Sequence, residues 1–178
     1  MLIDLSGGSF ILLLIFTGVA CIIFGMGMPS VSAYILVALL GAPALVEAGA
    51  SLLSAHMFVF FISTLSAITP PFAISPMVAC GIAQCGFWPA AMTTVRLGLP
   101  AFILPLYFMY WPALLLVDAS LSSFLIALFF VAVAFAAYGI ALEGFLFRKV
   151  SIIERIILVV GAILLIFPSM ATSILGTF

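Results

Sequence analysis

The chain has 178 residues, 68% hydrophobic and 5% charged, with a mean hydropathy of +1.58. A soluble domain needs far more charge to keep its surface wet, so the composition indicates a polytopic membrane protein. The formal net charge of −1 says nothing about partners in a membrane protein, but no basic stripe for nucleic acid exists, so none is expected as a partner.

The opening Met1-Leu-Ile-Asp-Leu-Ser-Gly-Gly has no positively charged n-region and no small-residue cleavage site, so no signal peptide is expected. The first apolar stretch, Phe10 to Phe24, is shorter than the about 20 helical residues that cross a bilayer core. It ends in Gly25-Met26-Gly27-Met28-Pro29, and a second helical stretch is expected from Ser30 to about Leu45. Two short helices meeting at a Gly/Pro turn read as a re-entrant hairpin; a single long kinked span is the competing reading.

Ser51 is an N-cap candidate for a helix running to about Ser66. The run Ile68-Thr69-Pro70-Pro71-Phe72 then removes two amide donors and restricts Thr69 to extended geometry. Helix should resume from about Ala73 to Gln84, making residues 51–84 one span broken at its middle. Both interruptions free backbone groups that lipid cannot satisfy, so they point to discontinuous helices lining an ion or substrate site.

Gly86-Phe87-Trp88-Pro89 reads as an interfacial turn with Trp88 as a headgroup-level anchor, followed by a short amphipathic piece to Arg96. Three full spans are expected next: Leu97 to Leu116, kinked at Pro100 and Pro105; Leu121 to Leu142; and Ile156 to about Leu175. Tyr107, Tyr110 and Trp111 would form an aromatic belt. The bases Arg96, Arg148, Lys149 and Arg155 fall on one side of this arrangement, with Asp118 opposite. That side is the cytoplasm by the positive-inside rule. Glu47, Asp118, Glu143 and Glu154 sit near span ends as solvated loop residues. The domain division is 1–95, hairpin plus broken helix, and 96–178, C-terminal transmembrane helices.

The cysteines Cys21, Cys80 and Cys85 read as small apolar filler, since their spacing matches neither a CxxC nor a zinc site. One histidine and no intramembrane acid pair argue against an embedded enzyme. His56 lies on roughly one helix face with Ser63 and Ser66, and is read either as a polar contact or as a residue hydrogen-bonded to a neighbouring helix.

The runs Leu5-Ser-Gly-Gly, Gly25 to Ala38 (GMGMPSVSAYILVA), Ala55 to Phe61 (AHMFVFF) and Leu65 to Pro71 (LSAITPP) resemble the large membrane component of tripartite ATP-independent periplasmic (TRAP) transporters. The likeness is greatest to fused permeases of the TAXI type, whose C-terminal helices Leu142-Glu-Gly-Phe-Leu, Ile153-Glu-Arg and Ile166-Phe-Pro-Ser resemble. Phe72, where a smaller aliphatic is usual, and Pro76, expected to break the following helix, depart from the pattern. The resemblance implies an all-α fold that is the second half of an inverted-repeat, elevator-type symporter in the bacterial inner membrane. Its partners would be a periplasmic substrate-binding protein delivering an organic acid and the remainder of the permease, so the chain is expected to be a fragment or split subunit. Sodium is the expected coupling ion, with no other cofactor and no structural transition metal. Gly25, Gly27, Pro29, Ser30, Ser32, Ser66, Thr69 and Pro70 are the candidate sodium or substrate residues, and His56 and Ser63 the lesser polar contacts. Freed carbonyls suit a hard cation, and half-helix N-termini suit a carboxylate. For the hydroxyls of Ser30, Ser32 and Thr69, local bonding to a backbone carbonyl is the alternative role. A non-transporting scaffold or an inactive permease fragment is the alternative function.

Overall fold

A computed structural model describes residues 6–146 and 148–166. Asp4, Leu5, the expected final span beyond Ile166 with its Phe-Pro-Ser, and the C-terminus lie outside the described residues. The described chain is helical apart from one minimal β ladder, and it divides into two compact units, up to Pro105 and from Leu106.

In the first unit, α1 (Phe10–Gly25) is capped by Ser9, whose side chain accepts from the Leu12 amide. A turn at Met26 to Pro29 leads into α2 (Ser30–Ala38), and α1 and α2 pack against each other. The expected single helix to Leu45 is in fact two. α2 stops at Ala38 and α3 (Gly41–Glu47) restarts at a bend of 45°. Pro43 explains this, because it has no amide to offer the carbonyl four residues back at Leu39 and its ring crowds that carbonyl. As the third residue of a new helix, its missing donor costs nothing.

Ser51 caps α4 (Leu52–Leu65) through the Ser54 amide. A 3-10 turn at Ser66–Ile68 follows, and then a non-helical stretch containing the cis Pro70–Pro71 peptide. Helix resumes as α5 (Ile74–Ala83). The break expected between Ser66 and Ala73 is therefore present. Pro76 does not break α5, contrary to expectation, because it too is a third helical residue. Gly86-Phe87-Trp88-Pro89 is not a turn beyond Gly86: α6 (Phe87–Tyr110) starts there, again with a proline at its third position. Arg96 consequently lies inside a helix of 24 residues and does not precede it. Pro100 and Pro105 are interior, as expected, and leave the carbonyls of Arg96 and Ala101 without their helical amides.

In the second unit, α6 ends at Tyr110 and does not continue to Leu116, giving way to a 3-10 turn at Pro112–Leu115. Next come α7 (Leu121–Glu143), β1 (Phe145–Leu146), β2 (Arg148–Lys149) and α8 (Ile152–Leu164). The ladder pairs Phe145 with Lys149 and Leu146 with Arg148, and α7 and α8 pack along one another. Tyr107 and Trp111 are not an exposed belt. Tyr107 is fully buried and donates to the Ala162 carbonyl; Trp111 Nε1 donates to the Ile166 carbonyl. Each buries an aromatic body and spends its polar tip on a helix carbonyl. Glu154 is not a loop residue but closes a capping box with Ser151 and pairs with Arg148.

Among the described residues, α6 and α7 are long and apolar enough to cross a membrane, and α2 with α3 reach that length only as a bent pair, either a broken span or part of a re-entrant loop. Of the three expected C-terminal spans, two correspond to α6 and α7, with the first shifted to Phe87–Tyr110; the third, Ile156 to about Leu175, extends outside the described residues. Large apolar side chains such as Leu40, Ile82 and Ile152 are more than 70% exposed, as suits a surface solvated by hydrocarbon.

The turn after α7 depends on Gly144, whose φ of +69° is left-handed and whose position is crossed by the Arg155 guanidinium. Gly144→Ala should cost about 1 kcal/mol through the backbone alone. A lowered denaturation midpoint in detergent is the expected result; an unchanged midpoint would contradict this account of the turn.

Candidate functional site

The two chain breaks meet. Gly25, the last residue of α1, packs so closely on the end of α4 that a Cβ there would lie 2.6 Å from Ser66 Cβ and 3.2 Å from the Ser63 carbonyl oxygen. Close approach of this type is what small residues permit between apolar helices. On α1 the buried residues Thr17, Cys21 and Gly25 recur every four positions and form one narrow seam. Thr17 also meets Gly41 of α3, where a Cβ would sit 2.9 Å from Thr17 Cγ2.

Two helix C-termini therefore converge at Gly25, Ser63 and Ser66, each the partially negative end of its dipole. The chemistry of that corner is dominated by oxygen. Ser66 Oγ donates to the Ser63 carbonyl at 2.6 Å, and Thr69 Oγ1 donates to the Leu65 carbonyl at 2.9 Å. The Thr69 amide reaches Ser66 O, and the Ala73 amide reaches Thr69 O. Ser63 Oγ is buried and has no hydrogen-bond partner among the described residues, and the same holds for Thr17 Oγ1. Both hydroxyls are polar atoms that a purely apolar seam would not need.

Gly27 joins the same corner for a different reason. Its φ of +79° makes the turn possible, and its Cα faces the Phe72 ring, which a Cβ would meet at an ordinary 3.8 Å. The structure thus brings Gly25 and Gly27 of the first break to Ser63, Ser66 and Phe72 of the second. Thr69 and Pro70 follow on the same strand of chain.

Pro29 is the N-cap residue of α2 and gives it no side-chain cap, so the α2 N-terminus opens at Ser30 without a capping bond. The α5 N-terminus is similarly uncapped, behind Ala73 in a left-handed conformation. Ser30 is half-buried, Ser32 is exposed, and neither side chain has a hydrogen-bond partner among the described residues.

His56 is engaged elsewhere. Its Nδ1 is 2.9 Å from Tyr34 Oη on α2, with the Tyr34 ring edge-on to both His56 and Phe60. The pair ties α2 to α4. Neither Tyr34 nor the contact of Gly25 with Ser66 was singled out in the sequence. The four-residue recurrence of Thr17, Cys21 and Gly25 was the available signal for the second. Among the described residues no group of three or more His, Cys, Asp or Glu side chains is placed to hold a metal ion.

Gly25→Ala should force apart two buried helix ends whose atoms have little room to yield, costing roughly 1–3 kcal/mol. Destabilisation in detergent should be partly relieved by the double variant Gly25→Ala with Ser66→Gly. Additive losses in the double variant would show that the two residues do not touch.

A family model described as the tripartite ATP-independent periplasmic transporter, DctM component, matches residues 1–123. No curated protein and no solved structure matches the chain.

Proposed function

The chain belongs to the DctM component family of tripartite ATP-independent periplasmic transporters, and from that premise we propose that the corner between its two chain breaks is part of a sodium-coupled site for an organic acid. The protein is a membrane-embedded component of a TRAP-type secondary transporter, in a family of transporters and not of enzymes. The observation that carries the finer reading is the convergence of the α1 and α4 C-termini at Gly25, Ser63 and Ser66. A desolvated sodium ion requires several oxygen ligands and gains from the negative ends of helix dipoles. Here two such ends meet within reach of the Ser63, Ser66 and Thr69 hydroxyls. The uncapped N-termini of α2 and α5 are the complementary feature, since unpaired amides and the positive dipole end favour a carboxylate.

Discontinuous helices of this type are the usual walls of transporter sites at the bilayer midplane. The re-entrant hairpin of the proposal is α1, its Gly/Pro turn and α2, with α4 and α5 as the broken span. A periplasmic binding protein would deliver the organic acid, and the remainder of the permease would close the site from the other side. The proposed membrane is the bacterial inner membrane. The basic residues of β2, Arg148 and Lys149, would lie in the cytoplasm and the exposed Asp118 in the periplasm.

Sodium-dependent uptake by the reconstituted intact permease with its binding protein tests the site. Thr69→Ala should weaken the sodium response several-fold, since one neutral contact of this kind is worth on the order of 1 kcal/mol, and Thr69→Ser should retain it. Equal sodium responses in Thr69→Ala, Ser66→Ala and the parent would reduce these hydroxyls to helix caps and favour a scaffolding role.

Orientation has its own measurement. Asp118→Cys should react with a membrane-impermeant maleimide added outside intact inner-membrane vesicles of native orientation. Labelling only after the membrane is permeabilised would reverse the proposed topology.

A further inference from the structure

The C-terminus of α5 brings two cysteines to one cleft. The Gln84 amide still makes the helical bond to the Cys80 carbonyl, but Gln84 takes a left-handed conformation (φ 52°, ψ 42°), so the next amide, that of Cys85, turns back onto the same carbonyl. In a cap of this shape the side chain two places past the helix folds over the side chain in the last turn. Those two positions are Cys85 and Cys80.

The 3.3 Å bond from Cys85 N to Cys80 O limits the Cα separation to about 7 Å, the edge of what a disulfide spans. Both cysteines are free, and both line one open cleft of about 410 Å³ together with Ala83, Pro89 and Thr93. Cys80 Sγ contacts the Gly86 carbonyl at 3.6 Å, at the start of the segment that leads into α6. The accessibilities of the two cysteines are unequal: Cys85 is exposed, whereas Cys80 is 8% exposed. The third cysteine, Cys21, is buried in the α1 seam.

We propose that Cys80 and Cys85 form a dithiol site that closes to an intrachain disulfide by exchange with a low-molecular-weight disulfide such as glutathione disulfide. The exposed Cys85 thiolate attacks one sulfur of the oxidant, whose S–S bond breaks and whose other half leaves as a thiolate. Cys80, having lost its proton to solvent, then attacks Cys85 Sγ in the mixed disulfide and expels the second thiolate. Both expelled thiolates take up protons, so two electrons and two protons pass to the oxidant, which departs as two thiols. The product is a covalent clip across the cap that joins α5 to α6.

Sequence nearness alone would not give this order of events, because a five-residue spacing in a continuing helix points side chains apart. The left-handed residue reverses the chain and supplies the proximity.

The test uses the whole chain in detergent micelles with excess glutathione disulfide, read by intact mass and peptide mapping after acid quenching. The parent should become lighter by the mass of two hydrogens, cross-linked between Cys80 and Cys85, with Cys21 unmodified. Cys80→Ser should instead accumulate a glutathione adduct on Cys85, reversible by dithiothreitol. Gln84→Gly, which relieves the left-handed strain, should close at least as fast as the parent. Denaturation in dodecyl sulfate should slow closure several-fold. A parent that stays unreactive, that stops at the Cys85 adduct, or that closes equally fast when denatured would overturn the proposal.

Discussion

A backbone that stops being helical inside an apolar chain leaves carbonyls and amides that hydrocarbon will not hydrogen-bond. That constraint organises the first unit of this protein. The chain leaves helix at Met26 to Pro29 and again at Ser66 to Ala73, and the freed groups are largely taken up on the spot. Met28 N bonds Gly25 O, Thr69 N bonds Ser66 O, and Ala73 N bonds Thr69 O, while two hydroxyls cover Ser63 O and Leu65 O. Gly25 then lets one break press against the other. The two breaks are therefore one feature built from both, and a side chain at residue 25 would separate them.

How far the sequence carried follows from what proline does at each position. The breaks at Gly25 to Pro29 and at Pro70-Pro71 were legible because their backbone consequences do not depend on tertiary packing. Three of the misplaced boundaries share one cause. Pro43, Pro76 and Pro89 each occupy the third position of a helix, where the amide has no intrahelical partner in any case. Read as breakers, they put a continuous helix before residue 45, a break inside α5 and a turn at 86–89. Read as starters, they give the observed α3, α5 and α6. A proline alone does not tell its reader which side of it the helix lies on; the apolar run after it does.

Other features were invisible for a different reason. Tyr34 meets His56 across 22 residues, and Tyr107 and Trp111 reach carbonyls 55 residues away. Tyrosine and tryptophan suit a membrane interface because they join an apolar body to a polar tip, and they suit a buried helix contact for the same reason. Local pattern cannot separate these uses, since both require the same chemistry. The candidate site divides in the same way. Its glycines and prolines could be named from sequence, whereas the closeness of Gly25 to Ser66 and the orphan hydroxyl of Ser63 are properties of packing.

The two roles weighed for the break hydroxyls, local bonding and ion ligation, are compatible once donors and acceptors are counted separately. A hydroxyl has one proton to give and two lone pairs to offer. Thr69 and Ser66 have given their protons to the carbonyls of Leu65 and Ser63, which leaves both oxygens as acceptors only. Fixing the proton on the carbonyl side turns the lone pairs the other way and removes the freedom of the hydroxyl to present a proton to a cation. On the carbonyl side, Leu65 O also opens the 3-10 turn at Ser66–Ile68, so the acceptors left at the break are the hydroxyl oxygens. Back-bonding at a helix break thus prepares an oxygen surface and does not use it up. Ser63 Oγ, buried beside them with no hydrogen-bond partner by geometry among the described residues, is the third hydroxyl oxygen at this corner.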